Sequence, residues 1–146
     1  MPPFDDYDIT KGRTYKYFKG EVLYPFGYGL SYSSFKYSDL RVKDEADEVA
    51  VSFRLKNTGK RNGDEVTQVY VRIPETGGIV PVKELKGFRR VPLKSGESRW
   101  VEIRLNKEQL RYWDVGKGQF VVPKGTFDIM VGASSKDIRL QTVIDL

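Results

Sequence analysis

The 146-residue sequence contains no cysteine and no histidine. Without thiols there is no disulfide framework, no cysteine nucleophile and no thiolate metal site. Without imidazole there is no Ser-His-Asp triad, no histidine general base and no His-ligated zinc. Carboxylates, lysines and tyrosines are what remains for catalysis, a poor fit to most self-contained enzymes. No apolar run approaches the roughly 18–20 residues of a membrane-spanning helix. The start, Met1-Pro2-Pro3-Phe4-Asp5-Asp6, is acidic and has no apolar signal core. A membrane partner is therefore not expected. The charge is also weakly biased. The net +5 comes mainly from residues 65–95, where six cations face three anions, while elsewhere the signs nearly balance. A nucleic-acid surface concentrates cations on one face with aromatics between them, so nucleic acid is not expected either.

Aromatic residues are plentiful, at 13% of the chain, and their placement divides it in two. Residues 1–33 have no long periodicity. Rings such as Tyr15, Tyr17, Phe18, Tyr24, Phe26, Tyr28 and Tyr32 alternate there with Gly12, Gly20, Gly27 and Gly29. Leaving so many large apolar side chains in water is unfavourable by roughly 1.5–3 kcal/mol each relative to burial. The segment therefore reads as an irregular arm that lies on a surface. In residues 34–146 a two-residue period takes over. Phe35, Tyr37, Leu40 and Val42 mark a first strand, and Val49, Val51, Phe53 and Leu55 a second, with Ser52, Arg54 and Lys56 facing out. Thr67, Val69, Val71 and Ile73 form a third row before Pro74 and a loop at Thr76-Gly77-Gly78. Val82 to Leu93 is a fourth, with a bulge expected at Gly87, where the alternation slips.

Val101, Ile103 and Leu105 follow, and Asn106 to Leu110 is a short helical turn with Asn106 as cap and Gln109 in capping-box position. Phe120 to Val122, Thr126 to Gly132 and Ile138 to Ile144 complete the set. Seven or eight strands with regular turn signals specify an all-β antiparallel sandwich of immunoglobulin or fibronectin type III kind, with an up-and-down barrel as the alternative. Its core is expected to hold Val51, Phe53, Leu55, Val69, Val71, Val101, Ile103, Phe127, Ile129 and Val131.

Candidate chemistry is sparse. The acidic groups Asp5/Asp6/Asp8, Asp44/Glu45, Asp47/Glu48 and Asp64/Glu65 read as solvated turn acids, since sequence neighbours on a strand point to opposite faces. Calcium at Asp5, Asp6 and Asp8 is a weak alternative, because no twelve-residue calcium loop is present. Lys83, Lys86, Arg89 and Arg90 form the densest basic group and read as a charged edge strand rather than an anion site. Gly27 and Gly29 lack the third glycine and the strand-turn-helix context of a dinucleotide loop. No catalytic, cofactor-binding or metal-binding residue is assigned, and no cofactor is expected. The aromatic arm carries the sharper readings. Tyr24, Phe26, Tyr28 and Tyr32 lie at even spacing, suited to one face of an extended segment. They fit a latch onto another domain, since interface cores are rich in such rings, or a carbohydrate-binding platform. A third reading is an independent protein-interaction sandwich.

Tyr24 to Tyr32 reads YPFGYGLSY, Val82 to Phe88 reads VKELKGF, Pro92 to Ser98 reads PLKSGES and Val131 to Leu140 reads VGASSKDIRL. Together with Asn57-Thr58-Gly59, these stretches resemble, in order, the C-terminal fibronectin type III-like domain of glycoside hydrolase family three, which contains β-glucosidases and β-xylosidases. Thr14 to Phe18, TYKYF, is similar to the family's usual TYRYF, with Lys16 where arginine is common. A lysine there cannot reproduce an arginine's bidentate contact. The resemblance implies a parent enzyme that hydrolyses terminal β-linked sugars with retention. Its aspartate nucleophile and glutamate acid/base lie in upstream domains, and no position here matches either.

The implied role is an inactive accessory domain cut from its enzyme, stabilising the catalytic domains. Residues 1–33 would pack on the preceding α/β domain through Tyr15, Tyr17, Phe18, Tyr24, Phe26, Tyr28 and Tyr32. The implied partners are those catalytic domains, with carbohydrate as the alternative. Localisation, secreted, periplasmic or cytoplasmic, would follow from the parent's N-terminus. An arm that belongs to a neighbour implies that truncating Phe26 costs this chain little.

Overall fold

The alternating apolar rows form strands much as their spacing dictates. The computed structural model describes residue 3, residues 5–74 and residues 81–146, so the loop expected at Thr76-Gly77-Gly78 lies outside the described residues. The strands are β1 (Phe35–Asp44), β2 (Glu48–Asn57), β3 (Gly63–Arg72), β4 (Glu84–Leu93), β5 (Ser98–Asn106), β6 (Tyr112–Asp114), β7 (Gln119–Val121), β8 (Thr126–Gly132) and β9 (Ile138–Asp145). They pair antiparallel into a three-stranded sheet of order β1-β2-β5 and a four-stranded sheet of order β4-β3-β8-β9. The sheets meet face to face as a sandwich, touching along β1 and β9 at one margin and β4 and β5 at the other. The strand assigned to Phe120–Val122 belongs to neither sheet. As β7 it pairs only with β6, and together they form a separate small hairpin.

All ten expected core residues are buried, joined by Tyr37, Val49, Val91, Leu93 and Leu105 among others. Tyr37 and Phe53 stack with ring centroids 5.7 Å apart. The switch in parity along β1, from Phe35 and Tyr37 to Leu40 and Val42, has a local cause. The register with β2 shifts between Ser38 and Arg41, and Asp39 takes a left-handed φ of 57°. Aspartate tolerates that conformation better than most side chains. The slip expected near Gly87 is also present. Val69 pairs with Gly87 while Tyr70 pairs with Leu85, which leaves Lys86 as the extra residue. A Cβ at Gly87 would lie 2.7 Å from Ile103 Cγ2 and 2.9 Å from Leu105 Cδ2, so glycine lets β4 close onto β5.

Asn106 caps the turn after β5 by accepting from the Glu108 amide at 2.8 Å. The turn is a 3-10 helix of four residues, Lys107–Leu110, and its anchor is the buried Leu110.

Glu65 corrects the view of Asp64 and Glu65 as turn acids, because both lie on β3. Asp64 pairs with Arg90 across the β3–β4 ladder, Arg90 Nε donating at 2.7 Å. Glu65 is half-buried and accepts from the Tyr37 hydroxyl at 2.8 Å. Burial raises the Glu65 carboxyl above its ordinary range despite the Tyr37 hydrogen bond and nearby Arg139. Burial, then the Glu65 charge, pushes the Tyr37 phenol up as well.

Two outcomes follow for stability. Phe53→Ala should lower unfolding free energy by about 3–5 kcal/mol through loss of transfer energy and cavity formation; a denaturant midpoint close to wild type would count against the assigned core. Because the folded chain binds the Glu65 proton more tightly than the unfolded chain, the charged form weakens the fold as pH rises through and above the ordinary glutamate value of 4.5. Glu65→Gln should therefore stabilise the chain relative to wild type at neutral pH, with the gap closing as pH falls into that range. Urea titrations of both proteins at two pH values measure this, and a pH-independent gap would refute it.

Candidate functional site

The N-terminal arm begins with acids that are already engaged. Asp8 caps the 3-10 turn Ile9–Lys11 by accepting from the Thr10 amide at 3.0 Å, and Gly12 ends it at φ 82°. Asp6 lies 3.0 Å from Lys11 Nζ and 2.7 Å from Arg13 Nη2. These hydrogen bonds, led by Lys11 for Asp6 and Thr10 for Asp8, hold both carboxyls below the usual range. Among the described residues no group of three carboxylates is placed to hold a metal ion.

The chain then turns at Thr14, whose carbonyl accepts from the Tyr17 and Phe18 amides, and it meets the sandwich. The Lys16 carbonyl accepts from the Val82 amide at 2.6 Å, and the Lys16 ammonium pairs with Glu84. Lys86 also reaches Glu84, at 2.9 Å. Burial works to raise the Glu84 carboxyl, but the hydrogen bonds from Lys16 and Lys86 prevail and hold it low. Of the basic group, Arg90 pairs with Asp64, and Arg89 donates to the Glu102 carbonyl at 3.2 Å. That leaves Lys83 beside the arm.

Two rings are fixed on the outer face of β3. Tyr15 stacks on Phe26 with centroids 4.0 Å apart and planes 9° apart, and it meets Tyr70 edge-on at 6.4 Å. Its hydroxyl accepts from the Leu85 amide at 3.1 Å. The Phe26 carbonyl accepts from the Ser135 amide at 2.8 Å, and the Gly27 carbonyl accepts from Gln68 Nε2 at 2.9 Å. Gln68 Nε2 also donates to the Ala133 carbonyl at 2.7 Å, and its Oε1 accepts from the Tyr70 hydroxyl at 2.5 Å. Gly27 sits at φ 77° with Gln68 against its Cα, so a side chain is excluded twice. Ser33 anchors the far end of the arm, its hydroxyl 2.6 Å from Asn57 Oδ1.

The seven arm residues therefore divide. The Tyr15 ring contacts this chain's own sandwich, Phe26 stacks on Tyr15 yet stays 44% exposed, and Tyr17 is half-buried. Phe18, Tyr24, Tyr28 and Tyr32 are exposed, with Tyr24 and Tyr28 tilted against each other at 5.6 Å. Leu23 and Leu30, which sequence reasoning passed over, are 95% and 89% exposed, and Tyr32 is 92% exposed. Two hollows flank the anchored stretch. One, of about 960 Å³, runs between the arm and the 82–83 and 135–136 segments. The other, of about 410 Å³, lies under Tyr28 to Ser31 against β3 and β4. Gln68 and Tyr70 were also missed as anchors. Their signal was a bulky ring on the outward-facing row of a central strand.

Residues 65–135 match the fibronectin type III-like domain family model. The chain is 37% identical to a xylan 1,4-beta-xylosidase of Xylanibacter ruminicola, over 98% of this chain and 17% of that protein. It superposes on beta-glucosidase 3B from Thermotoga neapolitana, solved with glucose, at TM-score 0.83 and 39% identity, covering 90% of this chain and 18% of that one. A GH3 beta-glucosidase from Bifidobacterium adolescentis gives TM-score 0.84 at 36% identity over 90% of this chain and 20% of that one. The chain carries a fibronectin type III-like domain and matches β-glucosidases and β-xylosidases of glycoside hydrolase family three over nine-tenths or more of its length. This domain spans only 17–20% of the length of these relatives.

Gly27→Ala should weaken the arm's hold by about 1–2 kcal/mol from the left-handed backbone alone, with the Gln68 clash added. Limited proteolysis should cut the variant faster between Tyr24 and Tyr28, while the sandwich core resists. Protection equal to wild type would show that the node does not hold the arm.

Proposed function

We propose that this domain is a non-catalytic accessory module of a β-glycosidase, which docks on and stabilises the catalytic domains of its parent chain through the aromatic arm, residues 1–33. The observation that carries the reading is the pairing of a fixed backbone with unsatisfied side chains. The arm is hydrogen-bonded to the sandwich at Lys16, Phe26, Gly27 and Ser33, yet it holds Leu23, Tyr24, Leu30 and Tyr32 out in water. Several large apolar side chains held exposed in one short segment point to an interaction site. The names of the relatives, beta-xylosidase and beta-glucosidase, supply the class of the parent reaction, hydrolysis of terminal β-linked sugars. Candidate carboxylates inside the domain are committed to structural partners: Asp64 to Arg90, Glu65 to Tyr37 and Glu84 to Lys16 and Lys86.

Two measurements test this. The purified domain should release no product from aryl β-glucosides or β-xylosides, and turnover that survives rigorous purification would end the non-catalytic reading. Leu23→Ser/Leu30→Ser/Tyr32→Ser should shift the stability of the isolated domain by no more than about 0.5 kcal/mol, as exposed substitutions do, while lowering the melting temperature of the parent enzyme. A parent that melts unchanged would remove the docking role.

A further inference from the structure

The larger hollow is lined by charge of one sign. Arg13, Lys16, Lys19, Lys83 and Lys136 border it, and among the described residues no carboxylate does. Asp6 answers Arg13 and Glu84 answers Lys16. Lys19, Lys83 and Lys136 have no carboxylate partner among the described residues. Lys136 Nζ only reaches the Gly20 carbonyl at 3.2 Å, and Lys83 Nζ stands 6.0 Å from the centre of the Tyr70 ring. Burial, with Arg72 and Lys136 nearby, holds the Lys83 ammonium pKa below its ordinary value. Between these cations the walls are apolar, from Ile9, Phe18, Val22, Phe26 and Val82.

Such a hollow carries two unfavourable features, crowded positive charge and hydrated hydrocarbon. One kind of occupant relieves both: a polypeptide segment whose apolar side chain enters the hollow while flanking carboxylates meet the three lysines. A neutral sugar fits less well. Its hydroxyls can accept from the ammonium groups but bring no negative charge to offset them. The ring face that would stack on a sugar is also reduced, because Tyr15 covers one side of Phe26.

We infer that the hollow between arm and sandwich seats an acidic, apolar-tipped segment of the catalytic domains that adjoin this domain in its parent chain. This rests on the docking role proposed above and adds the chemistry of the contact. Opposite charges arranged across an interface fix its register and reject wrong partners.

The test compares the parent enzyme, by differential scanning calorimetry at low salt, with its Lys19→Glu/Lys83→Glu/Lys136→Glu variant, and measures the isolated domain carrying the same substitutions alongside. The wild-type parent should melt with this domain coupled to the rest. In the reversed variant that coupling should be lost, with a separate transition appearing at the melting temperature of the isolated domain. The isolated variant should melt at or above wild type, because three crowded cations have been relieved. Lys19→Gln/Lys83→Gln/Lys136→Gln should give a smaller shift in the parent, and it carries the test if the glutamate variant fails to fold. A parent whose transition is unmoved by either variant overturns the acidic partner and leaves docking intact. A wild-type parent in which this domain already melts separately overturns docking and the inference with it.

Discussion

The arrangement turns on the side chain of Gln68. It is buried on the outer face of β3, where a strand of a two-layer sandwich ordinarily meets water. A buried amide must find partners, and leaving one unmade costs about 1–3 kcal/mol. Gln68 finds them in the Gly27 carbonyl of the arm, the Ala133 carbonyl beyond β8 and the Tyr70 hydroxyl. Those three come from the arm, the turn after β8 and β3 itself, so the node ties together segments as far apart in sequence as Gly27 and Ala133. Tyr70, packed under Tyr15, is raised above the ordinary phenol range, by burial first. Removing the arm would strip both side chains of their cover. At Tyr15, Lys16, Phe26 and Gly27 the arm is joined to the sandwich.

Beyond the node the balance reverses. Leu23 and Leu30 stand almost fully in water, and burying a side chain of that type is worth roughly 1.5–3 kcal/mol. The rest of the chain exposes apolar side chains too, among them Phe88, Phe120 and Val143. Its ion pairs, such as Arg104 with Glu45, Glu48 and Glu102, are solvent-exposed, and such pairs contribute about 0–1 kcal/mol. Exposed apolar side chains rather than ion pairs therefore hold the free energy available for association, and the arm presents the most exposed of them, Leu23, Tyr32 and Leu30. Charge around the adjoining hollow adds selectivity more than strength.

Most of the sandwich was legible because period two is a direct record of which side chains face in. The core rows of β2, β3, β5 and β8 followed from alternation alone, and even the irregularities left marks: the parity switch after Tyr37 and the slip at Gly87 correspond to the shifts at Ser38–Arg41 and Lys86. Periodicity could not say whether a strand joins a main sheet. Phe120 looked like a sandwich residue and instead packs edge-on with Trp113, 5.2 Å away, on a small hairpin. The arm was legible as a segment that lies on something, from its rings and glycines. That Tyr15 and Phe26 lie on their own sandwich was not, because the deciding groups, Gln68 and Tyr70, are distant in sequence and sit on the row that alternation assigns to solvent. Glu65 was misread for a similar reason. Its partner, Tyr37, comes from the opposite sheet.

The anchoring also bears on how an exposed arm can serve as an interface. A free aromatic segment would lose backbone and side-chain freedom on docking, and that ordering opposes association. Here much of the ordering has already occurred. Hydrogen bonds hold the backbone at Lys16, Phe26 and Gly27 and the side chain at Ser33, and the Tyr15–Phe26 stack fixes the ring layer beneath. The intervening exposed side chains are held on a frame whose ends cannot move independently. Gly27 is what permits the frame, since its left-handed backbone lets the chain pass within reach of Gln68. On the docking role proposed above, the residues that look least like contact residues, one glycine and one glutamine, would set how well the aromatic ones are positioned.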